Sequence, residues 1–181
     1  MSDAVLLVID AQESFRRRPY FVGDDLPRYL AEQNRLIAGA KAAGVAVAQI
    51  FHVEEDGPFS KACGHVRPLE GLVVTPDVVF EKRRHSALVG TGLDVWLTQR
   101  GARRVIVSGV RTEQCCETTA RHASDLGWEV TFCTPATLTF PMKGADGRLW
   151  SAAEIAASVE LALEGRFARV VGVDEALASA A

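Results

Sequence analysis

The residues best equipped for chemistry in this 181-residue chain are a cysteine, an aspartate and a lysine: Cys115, Asp10 and Lys82. Cys115 stands at the expected start of a helix, just after a strand that runs out at Ser108 and Gly109. A helix start offers unpaired N–H groups and a partial positive charge, which favour a thiolate. A lysine nearby pushes the same way. An aspartate beside them can take the thiol proton as a substrate arrives, so the three types make a nucleophile, its base and a stabilising cation. The backbone N–H groups of Arg111 and Cys115, in the loop entering the helix, are the expected donors to a developing oxyanion. Each residue also has a plain structural reading. A helical cysteine packs in the core more often than it reacts. Asp10 can simply end a strand, and Lys82 can be a solvated member of the basic run KRRH at 82–85.

Their joint delivery depends on the elements that carry them. Short β-branched runs at 5–9, 45–51, 78–80, 105–107, 128–132 and 169–171 read as strands, several of them apolar on both faces as a covered parallel sheet requires. Between them, helical spacing runs over 26–43 and ends at Gly44, over 93–100 before Gly101, and over 115–126 before Gly127. Ser151 and Glu154 have capping-box spacing ahead of Ile155, Val159 and Leu163. The alternation predicts right-handed crossovers and a three-layer α/β/α sandwich, Rossmann-like, of about six mostly parallel strands. One domain over residues 1–181 is expected, with irregular segments at 54–72 and 134–149 long enough to be functional. In such sheets ligands bind beyond the carboxyl ends of the strands, which is where Asp10, His52, Lys82 and the approach to Cys115 all fall.

Composition narrows the classes. The chain is 48% hydrophobic and carries a net charge of −3, so neither disorder nor a basic nucleic-acid surface is expected. No apolar run reaches the roughly 18–20 residues of a membrane span. The apolar start at 4–9 is too short for a secretory leader and ends in Asp10. Four cysteines (Cys63, Cys115, Cys116 and Cys133) do not suggest a disulfide framework in a chain of this size. The expectation is a cytoplasmic protein with free thiols, Cys63, Cys116 and Cys133 being structural.

The sequence DAQ at 10–12, a lysine after the third strand followed by Ser86 and Ala87, and GVRTEQCCETTA at 109–120 together resemble the isochorismatase-like cysteine hydrolases. The resemblance runs from Asp10 to the TPAT segment at 134–137 and implies that fold for the whole domain. It implies a catalytic triad of Asp10, Lys82 and Cys115, in which the cysteine attacks an amide carbonyl, ammonia or an amine leaves, and water hydrolyses the thioester while the aspartate moves protons. It also implies a cis peptide between Val110 and Arg111, no cofactor, a small amide or ureide as substrate, and a homodimer or homotetramer. Cys115 separates the chain from the branches that lack the cysteine and cleave a vinyl ether.

The nicotinamidase zinc pattern, an aspartate and three histidines, does not line up. The end of the second strand reads QIFHVE, without the aspartate before His52. Zinc assembled from His52, Glu54, Asp56 and His65 is the alternative to a metal-free site. Candidate substrate contacts are Phe15, Gln12, His52 and Arg111. Phe15 is equally a core ring, Gln12 equally a tie for its loop, and the Arg111 side chain can point either way. Two further readings stand beside the hydrolase: a dinucleotide-binding oxidoreductase, which the missing G-x-G-x-x-G loop disfavours, and a binding protein of the same shape with a vestigial site.

Overall fold

In the computed structural model, described over residues 2–180, six strands form one parallel sheet. These are β1 (Ala4–Ile9), β2 (Ala46–His52), β3 (Val78–Lys82), β4 (Arg104–Val110), β5 (Glu129–Leu138) and, after a two-stranded hairpin of β6 (Met142–Lys143) and β7 (Leu149–Trp150), β8 (Arg169–Val171). The order across the sheet is β3-β2-β1-β4-β5-β8. From β1 the chain builds outward in one direction through β2 and β3, then returns to place β4 on the other side of β1. The switch point therefore lies between β1 and β4.

Five helices cover the sheet: α1 (Leu26–Ala42), α2 (Leu93–Gln99), α3 (Glu117–Asp125), α4 (Ala152–Leu163) and α5 (Val173–Ala178). Successive side chains of a strand point to opposite faces, and β1 divides accordingly. Leu6 and Val8 enter one apolar cluster with Leu36, Ile37 and Ala40 of α1 and Val173 and Ala176 of α5. Val5, Leu7 and Ile9 enter a second cluster with Leu93 and Leu97 of α2, Ala120 and Ala123 of α3, and Val159 and Leu163 of α4. This is the expected three-layer sandwich, its central strand apolar on both faces because both are covered.

Several boundaries differ from the sequence reading. β3 continues through Lys82, so the lysine is the last residue of a strand rather than part of the loop after it. β5 runs on to Leu138 and absorbs the first part of the segment expected to be irregular, with a register shift against β4 between Val107 and Gly109. The expected helix at 115–126 begins instead as a π-helical turn, Thr112–Cys116, followed by α3 from Glu117. The capping box at Ser151 forms in full, with the Ser151 side chain accepting from the Glu154 N–H and the Glu154 carboxylate accepting from the Ser151 N–H. The short α5 and the β6–β7 hairpin were not expected.

Candidate active site

Parallel pairing fixes the site by register. Ile9 lies opposite Ile50 and Gly109, and His52 lies opposite Lys82. Asp10, His52, Lys82 and the turn after Val110 consequently emerge side by side at the carboxyl edge, at the switch point. Gly109 makes the close approach of β1 and β4 possible. A Cβ there would sit 1.9 Å from the Ile9 carbonyl oxygen, and its φ of +124° suits glycine alone. Asp10, which follows Ile9, has a φ of +49°, the one positive value outside glycine among the described residues. The Val110–Arg111 peptide is cis, at the bend that carries the N–H groups of Arg111 and Cys115.

At the centre is the Lys82 ammonium, with its side chain wholly buried. Nζ lies 2.7 Å from Asp10 Oδ2, 3.2 Å from Cys115 Sγ, 3.1 Å from His52 Nδ1 and 3.1 Å from the Arg84 carbonyl oxygen. The structure thus brings together the three residues expected to act in concert. Burial, reinforced by the Asp10 charge, pushes the Cys115 pKa from 9.0 up to about 12, and Lys82 only partly offsets it. A helix start favours a thiolate, but Cys115 sits in the π turn at 6% exposure, and the cost of burying an anion outweighs that help. Burial also raises Asp10 against the pull of Lys82, while Asp10 and Cys115 together raise Lys82 against its own burial. The His52 pKa is lowered to about 4, first by burial and then by Lys82, so its ring is neutral beside the ammonium.

The expected substrate contacts are placed unequally. Gln12 is committed to its loop: Oε1 accepts from the His52 N–H at 2.8 Å, and Nε2 donates to the His52 carbonyl at 3.1 Å and to Ser14 Oγ at 2.8 Å. Phe15 is 6% exposed, its ring edge-on to Phe59 at 5.0 Å and 6.4 Å from Phe140, as in the core reading. The Arg111 side chain is buried, with its guanidinium 2.9 Å from Glu113 Oε1 and stacked 4.8 Å over Tyr20, so its charge is already matched. His52 lies between Lys82 and Glu54, whose Oε1 is 3.4 Å from its Nε2.

Of the four residues weighed for zinc, only His52 and Glu54 meet. No cluster of three or more His, Cys, Asp or Glu side chains arranged for a metal occurs among the described residues. With one ring nitrogen of His52 facing an ammonium, the donors present do not fit a zinc centre. Cys116 and Cys133 are buried without disulfides, and half-buried Cys63 holds its own turn through the Pro58 and Ser60 carbonyls.

Sequence reasoning missed the loop that frames the thiol. Thr119 Oγ1 donates to the Cys115 carbonyl at 2.6 Å and accepts from the Ala87 N–H at 3.0 Å. Ser86 Oγ lies 2.8 Å from His122 Nδ1. These bonds dock residues 83–89 on α3 and set His85 beside Cys115, its Nδ1 3.8 Å from Sγ. The available signals were the position of Thr119, one helical turn after Cys115, and a histidine three residues after Lys82. Other clefts lie away from these residues. One of about 500 Å³ is lined by Arg121, Met142, Trp150 and Val159, another of about 300 Å³ by Arg28, Thr139 and Ala156, and neither takes in Asp10, Lys82 or Cys115.

The Isochorismatase domain family matches residues 4–162. The chain belongs to the isochorismatase family. Isochorismatase-family kinship extends to solved structures: a family hydrolase from Chromobacterium violaceum superimposes with a TM-score of 0.89, at 28% identity over 98% of this chain and 94% of that one. Among named relatives, Nicotinamidase 3 of Arabidopsis thaliana is 45% identical over 75 residues, covering 41% of this chain and 38% of its own. The ureidoacrylate amidohydrolase RutB of Variovorax paradoxus is 26% identical over 173 residues, covering 75% of this chain and 69% of its own. The chain spans less than two thirds of the length of several curated relatives that it matches. No helix among the described residues is long and apolar enough to cross a membrane.

Proposed function

We propose that this isochorismatase-family chain is a cysteine amidohydrolase that cleaves a C–N bond of a small amide or ureide through a thioester on Cys115, without a metal. The observation that carries it is the buried Lys82 ammonium, 2.7 Å from Asp10 and 3.2 Å from the Cys115 sulfur. A carboxylate and an ammonium placed together beside a thiol cost too much desolvation to serve packing alone, and they supply what a resting thiol lacks. The thiol is protonated at neutral pH. As Sγ bonds to the substrate carbonyl carbon, its proton passes to Asp10, and Lys82 holds the negative charge that moves between sulfur and carboxylate. The carbonyl oxygen gains a charge that the N–H groups of Arg111 and Cys115 receive. Asp10 returns the proton to the leaving nitrogen, the C–N bond breaks, and ammonia or an amine departs. Water then cleaves the thioester.

The names of the relatives support the substrate class, one acting on nicotinamide and one on a ureide. The test is ammonia release from a panel containing nicotinamide, biuret and N-carbamoyl amino acids, with wild type, Cys115→Ala and a chelator-treated sample in parallel. Release that disappears in Cys115→Ala and survives chelation is expected. Release lost on chelation supports the zinc reading around His52 instead. Undiminished release by Cys115→Ala refutes the mechanism. Silence across the panel, with a Cys115 no more reactive than an ordinary thiol, favours a binding protein.

A further inference from the structure

Only the backbone of Arg111 takes part in the hydrolysis described above, yet its side chain sits beside the oxyanion turn with hydrogen-bonding capacity unspent. Arg111 Nη2 and Glu113 Oε1 face each other at 2.9 Å, off the line of a hydrogen bond. Arg111 Nε and Nη2 and Glu113 Oε1 are all buried, and none makes a hydrogen bond among the described residues. Buried polar atoms in this condition are costly, and a native site that keeps them has a use for them. We propose that Arg111 and Glu113 form a specificity subsite for a second, uncharged amide or ureide group on the substrate. The carbonyl oxygen of that group accepts from Arg111, and its N–H donates to Glu113. The inference rests on the hydrolase reading above and narrows its substrate to a diamide or ureide rather than an amide acid.

Three observations carry it. The first is position. With the Arg111 N–H donating to the oxyanion, the guanidinium lies within its own side chain's length of the reacting carbonyl. A row of rings, Phe140, Phe15, Phe59 and His52, leads from the guanidinium to the imidazole beside Lys82. The second is rigidity. The guanidinium stacks on Tyr20 at 4.8 Å and on Phe140 at 5.6 Å. The Arg111 carbonyl accepts from the Gln114 and Cys116 N–H groups, and Thr139 Oγ1 donates to the second oxygen of Glu113. Donors and an acceptor held in place lose little freedom when a ligand binds. The third is charge. Glu113 already matches the Arg111 cation, so a carboxylate would bring a second negative charge beside Glu113, where the two side chains are only 5% and 11% exposed. An amide or ureide edge brings one acceptor and one donor side by side and adds no charge.

The probes are malonamide, malonamate and butyramide, which share a primary amide and end in an amide, a carboxylate or an alkyl group. Their homologues with one more carbon are run beside them. Binding is read by NMR titration of Cys115→Ala, and turnover by ammonia release from wild type. The diamide of one series is expected to bind about 10–100-fold more tightly than its acid and alkyl counterparts, the worth of hydrogen bonds to charged groups, beyond the statistical gain from its equivalent ends. Two variants are then titrated in the same Cys115→Ala background. Arg111→Lys keeps a cation opposite Glu113 but loses the planar donors, so it is expected to fold and to lose the preference. Glu113→Gln frees the guanidinium charge and is expected to turn the preference toward the acid. No binding of any probe, equal binding of all, or a preference for the acid with Glu113 in place overturns the proposal. So does a diamide preference that survives both variants. A diamide preference in binding without Cys115-dependent ammonia release from wild type removes the hydrolase reading and leaves the subsite standing, which tells the two failures apart.

Discussion

Replacing Lys82 by Met keeps the length of the side chain and removes its charge, which leaves the Asp10 carboxylate without its cation at a position with no exposure. Breaking a buried pair from one side typically costs about 3–5 kcal/mol, because the remaining charge stays uncompensated. At a urea m-value of about 2 kcal/mol/M this lowers the unfolding midpoint by roughly 1.5–2.5 M. The loss should depend on pH. Burial already holds the Asp10 pKa above 3.8 despite Lys82, and without Lys82 it rises further. A carboxyl whose folded pKa is raised contributes stability below its unfolded pKa that is lost as pH climbs through the folded value. Lys82→Met should therefore be mildest near pH 4 and worsen toward neutrality, by up to about 1.4 kcal/mol per pH unit. Asp10→Asn combined with Lys82→Met removes both charges and should cost less than the sum of the single changes. Urea titrations of the four proteins at two pH values close this cycle. Additivity within about 0.5 kcal/mol, or a pH-independent loss in Lys82→Met, would refute the picture of a coupled buried pair.

Gly109→Ala places a methyl group 1.9 Å from the Ile9 carbonyl oxygen at a φ of +124°. It should cost at least about 1–3 kcal/mol from backbone strain alone and disturb the β1 end that carries Asp10, so hydrolysis should fall further than stability implies; wild-type activity in a folded Gly109→Ala would show that β1 and β4 need not approach so closely. The Cys115 pKa of about 12, against 9.0 for a free thiol, makes its thiolate fraction below pH 9 about 10³-fold smaller, and only the thiolate reacts. Iodoacetamide alkylation of Cys115 in native protein should be correspondingly slow and keep rising above pH 9, where an unfolded chain levels off. The same raised pKa contributes stability below pH 9 that is lost as pH rises toward 12. Fast alkylation at neutral pH would mean that the thiolate is the resting form after all.

What the sequence made legible was whatever depends on local pattern. Runs such as VLLVI and VAVAQIF declare doubly buried strands, and parallel strands must put their last residues on one edge, so Asp10, Lys82 and Cys115 converge once the strand order is right. Illegible features depended on distant packing. β5 was cut short because its strand-like run stops at Phe132, yet pairing of Thr137 and Leu138 with Gly109 and Val110 extends it. How strongly burial opposes a Cys115 thiolate was hidden for the same reason. A helix start acts within one turn and can be seen in sequence, whereas the Asp10 charge and the depth of burial that outweigh it come from residues some thirty to a hundred positions away. His85 lay in plain view inside KRRH, but its neighbours in sequence are solvated, and only the Thr119 and His122 anchors on α3 turn its ring to the sulfur. The site is thus divided by its physics. The strand ends deliver the charges, the turn after β4 carries the nucleophile, and the exposed His85 reaches the sulfur from a loop positioned by side-chain hydrogen bonds.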